Sequence, residues 1–164
     1  MPKPKLTHVD ETGAVRMVDV SGKGTTLRRA VAQGTVAFGA EAFRLLRANK
    51  LAKGDAMAVA RLAGIQGGKR TAELIPLCHN VPLSRLDVAI ALESRGRLAR
   101  ITATAEASWS TGVEMEALVA VSTAALALYD MAKGVDRAIS IQEIVLLEKS
   151  GGRSGSWRRQ RLRP

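Results

Sequence analysis

Seven polar side chains stand where predicted elements begin or end: Lys53, His79, Glu114, Glu116, Asp130, Lys133 and Lys149. Element ends are where sites on a rigid scaffold gather. Lysines, carboxylates and histidine are the types that move protons and hold anions. Each also has an ordinary reading. Lys53 can be a surface lysine, and His79 a satisfied histidine in a turn. Glu114 lies three residues after Thr111 and completes a capping-box pattern. Asp130 and Lys133 form an i,i+3 pair, worth ~0.2–0.5 kcal/mol on a helix surface.

Other chemistries fit the residues poorly. Cys78 and His79 are adjacent, so their side chains are expected to diverge, and one Cys with two His gives no pair at zinc-finger spacing. The stretch GIQGGKR at 64–70 superficially resembles a phosphate loop. It lacks the first glycine at the right distance, and Arg70 stands where Ser or Thr would hold magnesium.

The elements that must position these side chains follow from periodicity. Segment 14–20 reads as a short strand. Segment 25–38 reads as a longer strand with Gly34 as a break, and 39–50 as a short amphipathic helix. Asp55 is placed to cap a helix over 56–70, which Gly64, Gly67 and Gly68 weaken unless another element packs closely there. Segments 86–93 and 98–107 alternate apolar and polar residues about the turn Ser94-Arg95-Gly96-Arg97, the pattern of a hairpin with one buried face. Segment 112–133 is the strongest helix, with Gly134 where a stop belongs. The last strand, 139–148, slips phase near Gln142-Glu143, which predicts a bulge. From residue 25 onward the order β-α-α-β-β-α-β predicts a ferredoxin-like α+β sandwich: an antiparallel sheet with helices on one face.

The chain has 164 residues and a formal net charge of +10. Six Lys or Arg and no acid lie in 149–164, and Lys3 and Lys5 lie in the other tail, so 17 basic and 15 acidic residues remain in 6–148. The excess charge belongs to the ends. No uninterrupted apolar run reaches ~18 residues, so no membrane is expected. A single cysteine excludes an intrachain disulfide framework and fits a cytoplasmic protein. RNA-recognition modules of this fold stack bases on sheet aromatics. Aromatics are 3% here, so nucleic acid is not the expected partner. The expected organisation is a flexible 1–13, a single domain over 14–155, and a disordered basic tail over 156–164.

Four stretches make the sequence recognisable: LTHVDETGAVRMVDVS at 6–21, KGDAMAVARLAGIQGGKRTAELIPLCHNVPLS at 53–84, TGVEMEALVAVSTAALALYDMAKGVD at 111–136, and LLEKSGGRSG at 146–155. Together they resemble the molybdenum cofactor biosynthesis protein C family, the cyclic pyranopterin monophosphate synthases. The combination of IPLCH, GVEMEAL, YDM-x-K and KSGG-x-SG is far more specific than any one of them.

The resemblance implies conversion of 3′,8-cyclo-7,8-dihydroguanosine 5′-triphosphate to cyclic pyranopterin monophosphate, with release of pyrophosphate. It implies a homohexamer, a trimer of dimers, with the site at the dimer interface. It carries Lys53, His79, Glu114, Glu116, Asp130, Lys133 and Lys149 into the active site and Arg28 into substrate binding. For that substrate, Arg28, Lys69 and Lys149 are wanted as counter-charges, and Ser150-Gly151-Gly152 as backbone donors to phosphate. Lys53 and Lys133 are the candidates for general acid or base, with Asp130 holding Lys133. Glu114, Glu116 and His79 would bind the ring or relay protons. No resident metal is implied, although magnesium can accompany a triphosphate. The alternative is a non-catalytic nucleotide- or RNA-binding homologue. Nothing in the resemblance accounts for the tail beyond Gly155, expected to lie outside the site.

Overall fold

The computed structural model describes residues 17–20 and 22–160. The elements run β1 (Thr26–Ala37), α1 (Ala40–Arg47), α2 (Ala56–Lys69), α3 (Thr71–Leu74), β2 (Arg85–Glu93), β3 (Leu98–Trp109), α4 (Glu114–Ala132), β4 (Ser140–Ser150) and β5 (Trp157–Arg158). The strands form one sheet in the order β2-β3-β1-β4-β5, antiparallel throughout. Apart from the short α3 and β5, this is the predicted α+β sandwich.

The alternation in β2 and β3 works as the sequence predicts. Ala99, Ile101, Ala103, Ala105 and Ala107 are buried beneath the helices, while Arg100, Thr102, Thr104 and Glu106 face the other way. β2 registers Val88 against Ala103 and Ile90 against Ile101. α4 lies across this surface and buries Val121, Ala124 and Leu128 completely. Burial of a Val or Leu side chain contributes about 1.5–3 kcal/mol. α4 is long and apolar enough to cross a membrane by length and composition, but its buried face meets the sheet and α2.

α2 begins as predicted: the Asp55 carboxylate accepts from the Ala58 N–H at 2.9 Å. Its glycines are a packing surface. A Cβ on Gly64 would stand 2.9 Å from the Ala120 carbonyl oxygen, and one on Gly67 would stand 2.3 Å from Thr123 Oγ1. Their absence lets α2 and α4 pack closely, which outweighs the helix propensity that glycine forfeits.

Four local expectations need correction. β1 does not break at Gly34, because that glycine lets Val121 and Ile144 crowd the strand: a Cβ there would lie 2.7 Å from Val121 Cγ1. Of the strand predicted over 14–20, residues 17–20 are not in a strand, and 14–16 lie outside the described residues. Thr111 and Glu114 form no capping box; Val113 precedes α4 with no side-chain cap, and Glu114 is engaged elsewhere. The expected disordered tail instead contributes β5, and Arg159 donates its N–H to the Leu147 carbonyl at 2.7 Å. Residues 161–164 lie outside the described residues, as does the segment 1–13 expected to be flexible.

β4 carries two bulges. Its register against β1 shifts between Val31 and Ala32 and again between Gln33 and Thr35. The second lies opposite the predicted slip, where Glu143 adopts a φ of 46°. Each shift leaves one extra residue in β4. Ile141, Leu146 and Lys149 therefore all pair with core-facing β1 residues: Val36, Ala32 and Ala30.

Candidate active site

That phase places Lys149 over the start of α4. Its Nζ donates to Glu114 Oε1 at 2.8 Å, across 35 residues of sequence. Arg28, near the start of β1, is fixed from behind by two carbonyls: its Nε donates to Trp109 O and its Nη2 to Ser110 O, both at 3.1 Å. Beyond Lys149 the chain turns through Gly151 (φ 99°) and Gly152 (φ 72°). A Cβ on Gly152 would lie 1.8 Å from Arg28 Nη1, and one on Gly151 would lie 2.1 Å from Leu27 O. Only glycine allows this turn both its dihedrals and its closeness to Arg28.

These groups surround a cavity of about 650 Å³. Its charged lining is Lys23, Arg28, Arg29, Lys149 and Arg153, against the single carboxylate of Glu114. Such a surface suits a polyanion: guanidinium groups bind phosphate bidentately, and a positive-φ turn can present backbone N–H groups.

A second cavity of about 370 Å³ shares Lys23, Thr111, Gly112 and Glu114 with the first. Its other walls include Val18, Val20, Leu77, Val81, Cys78, His79 and Glu116. Cys78 and His79 thus border the same space despite being adjacent in sequence. His79 Nε2 lies 2.8 Å from the Val18 carbonyl, so an Nε2–H is satisfied there. Glu116 is only 4% exposed. Burial, reinforced by the nearby charge of Glu114, pushes its carboxyl up to about 7 against the pull of its own backbone N–H. Near neutrality it can therefore give or take a proton. Burial, and then the charge of Glu116, also raises the Cys78 thiol. Apolar walls with a few polar groups suit a flat heterocycle.

The remaining residues meet at the other end of α4. Asp130 Oδ1 lies 2.7 Å from Lys133 Nζ, and Oδ2 lies 2.7 Å from Lys53 Nζ. The Lys133 contact, then that of Lys53, holds the Asp130 carboxyl down at about 2, and Asp130 raises Lys133 in turn. At neutral pH Asp130 is ionised and Lys133 protonated. All three side chains are about half exposed. Sixteen residues of α4 separate Glu114 from Asp130. At ~1.5 Å per residue that is roughly 24 Å.

The predicted site residues therefore fall into two groups within one chain. Arg28, Glu114 and Lys149 meet at the large cavity, with His79 and Glu116 next door. Lys53, Asp130 and Lys133 form the distant triad. Lys69, exposed in the last turn of α2, lines neither cavity. Sequence reasoning missed Lys23, Arg29 and Arg153. Arg153 stood inside the KSGG-x-SG motif at the variable position; Lys23 and Arg29 carried no separate signal.

An α+β sandwich with a cationic cavity, a buried carboxyl near neutrality and a lysine–aspartate–lysine triad carries the groups that acid–base chemistry on an anionic small molecule would need. Comparison with known proteins names the group. The chain matches the MoaC family over residues 17–152, and it belongs to that family. It is 53% identical over 156 residues to the cyclic pyranopterin monophosphate synthase of Thermomicrobium roseum, covering 95% of this chain and 94% of that one. It is 52% identical over 157 residues to the Chloroflexus aurantiacus protein of that name, covering 96% of each. It is 55% identical over 154 residues to cyclic pyranopterin monophosphate synthase 1 of Mycobacterium tuberculosis, covering 94% of this chain and 90% of the relative.

Proposed function

We propose that this chain is a cyclic pyranopterin monophosphate synthase acting in molybdenum cofactor biosynthesis. Its substrate is 3′,8-cyclo-7,8-dihydroguanosine 5′-triphosphate, and its products are cyclic pyranopterin monophosphate and pyrophosphate. The observation that carries this reading is the joined pair of cavities: one cationic and glycine-turned, the other lined by apolar groups, His79 and Glu116. Together they match a triphosphate attached to a heterocycle.

In this mechanism Arg28 and Lys149 hold the phosphates. Arg28 is already oriented by two carbonyls, so little ordering remains when the anion arrives. Glu114 holds Lys149 in the resting state, and a phosphate oxygen competes with it for the ammonium. Cyclic phosphate formation joins a substrate hydroxyl to the α-phosphorus, breaks the α–β bridge and releases pyrophosphate. The hydroxyl proton needs an acceptor and the leaving group a cation. Glu116 and His79 serve the ring and its proton transfers. Lys133, held protonated by Asp130, starts as a general acid or as charge stabilisation; it becomes a base only when that contact loosens. Lys53 shares Asp130 and is its partner in the role. Lys69 is assigned to substrate phosphate only through a neighbouring subunit. A magnesium ion arriving on the triphosphate is compatible with this reading, and no step is assigned to it.

Roughly 24 Å is too far for one small molecule to touch both ends of α4. The triad therefore serves the cavities of a neighbouring subunit. A two-fold dimer with antiparallel α4 helices would build two equivalent sites, each from one helix start and one helix end. Three such dimers make the proposed cytoplasmic homohexamer. Incubation with the cyclised GTP intermediate, followed by detection of the pyranopterin and pyrophosphate, tests the function. Binding without turnover by the assembled protein would replace it with a non-catalytic role.

A further inference from the structure

The match to the MoaC family stops at residue 152, yet the chain returns to the site after it. In β5, Trp157 pairs with Lys149 and Arg158 with Glu148. Lys149 is thus flanked on both sides, by Ala30 of β1 and Trp157 of β5. Without β5 it would lie near the end of an edge strand, one side of its backbone unpaired.

Strand alternation turns Glu148 to the face opposite Lys149. Four charges meet there. Arg29 contacts Glu106 at 3.4 Å and also pairs with Glu148 Oε1. Arg158 takes the other oxygen of Glu148, at 2.9 Å from Nη2 and 3.3 Å from Nε. Two cations balance two anions. Loss of Arg158 leaves a net negative charge next to Arg29, which itself lines the phosphate cavity.

We propose that β5 is a positioning element of the phosphate cavity: its backbone fixes Lys149, and Arg158 offsets Glu148 so that the cluster around Arg29 turns no net negative charge toward the substrate's phosphates. This rests on the reading that the cavity takes a triphosphate. Arg158 touches no substrate and acts through Glu148. The expected disposable tail becomes part of the site's support.

Calorimetric titration of inorganic tripolyphosphate into the full chain, at low and high salt, tests the proposal alongside steady-state kinetics. The variants are deletion of 156–164, deletion of 161–164, Arg158→Ala and Arg158→Lys, each checked for fold and oligomer. Arg158→Ala should weaken tripolyphosphate binding about three- to tenfold at low salt, the scale of one partly screened charge. High salt should shrink that loss, and Arg158→Lys should recover much of it. Substrate KM should rise more than kcat falls. Deletion of 156–164 should cost more than Arg158→Ala, and deletion of 161–164 less. Wild-type binding by both Arg158→Ala and the longer deletion overturns the proposal. So do equal losses in the two deletions, or a loss in Arg158→Ala that salt does not change. If the longer deletion does not fold, Arg158→Ala and its salt dependence decide. If the unaltered protein binds no tripolyphosphate, or Arg28→Ala binds it equally well, the phosphate reading falls and this inference with it.

Discussion

Lys53 grips Asp130 twice: its Nζ donates to the Oδ2 carboxylate at 2.7 Å and to the backbone carbonyl at 2.8 Å. The ammonium thereby joins the α2 approach to the end of α4. Asp130 keeps its other oxygen for Lys133. Lys53→Ala and Lys133→Ala should each lower product formation ~100-fold or more, the scale of a lost acid–base group. Exposed pairs contribute little to stability, so melting temperature and oligomer size should stay close to those of the parent. Normal turnover in either folded variant removes that lysine from the mechanism.

Glu116 should make stability depend on pH in a window of its own. Its folded carboxyl sits at about 7, above the ordinary 4.5. The folded state therefore binds more protons between those values, and stability falls as pH rises from about 4.5 to 7. Asp130 acts the other way. Its carboxyl is held at about 2, so its stabilisation is complete above about 4 and is lost only as pH falls toward 2. The two windows do not overlap. Thermal melts across pH 4.5–7 should show a decline that Glu116→Gln flattens. The pH–rate profile should lose an inflection near 7 in the same variant. An identical melting slope in Glu116→Gln would assign the effect to another group.

A shared site predicts complementation. Glu114→Gln and Lys133→Ala should each be inactive alone. Co-expressed, some dimers would hold one doubly altered site and one intact site, and activity should partly return. Hetero-oligomers verified by mass and still inactive would place both residues in one chain's site, or one of them outside it.

Gly152→Ala should separate phosphate binding from folding. The new methyl would meet the Arg28 guanidinium and require a left-handed backbone at φ 72°. The turn lies outside both β4 and β5, so the sheet should survive. A displacement near 1 Å at a reacting centre costs about 100-fold. A fall in kcat/KM of about 10- to 100-fold, carried mainly by KM, is expected. Unchanged KM would show that the turn does not hold phosphate.

Much of this was legible in the residues. Period-two alternation gave β2 and β3, because each strand buries one face. The bulge at Gln142-Glu143 was legible because the slip puts polar residues out of phase. Its twin near Leu147 was not: Leu146 and Leu147 are both apolar, so a shift of one leaves the pattern unaltered. The capping box failed because Lys149, distant in sequence, claims Glu114. The tail misled because composition reports charge and is silent about backbone pairing to β4. Lys23 and Arg29 read as surface cations until the fold brought them to one cavity, and Lys69 read as a counter-charge until α2 turned it away.

The paired bulges of β4 behave like two successive frameshifts in a message read in twos. The first inverts which residues face the helices, and the second restores the original frame in time for Lys149. Length changes at the slips themselves should leave that frame intact. Each bulge is one residue of β4 with no partner in β1, so removing it closes the bulge and keeps Lys149 paired with Ala30, its ammonium still over Glu114. Removing a paired residue while both bulges persist would slide the strand by one and send the ammonium to the far side of the sheet. Natural insertions and deletions in β4 should accordingly gather at the two slips.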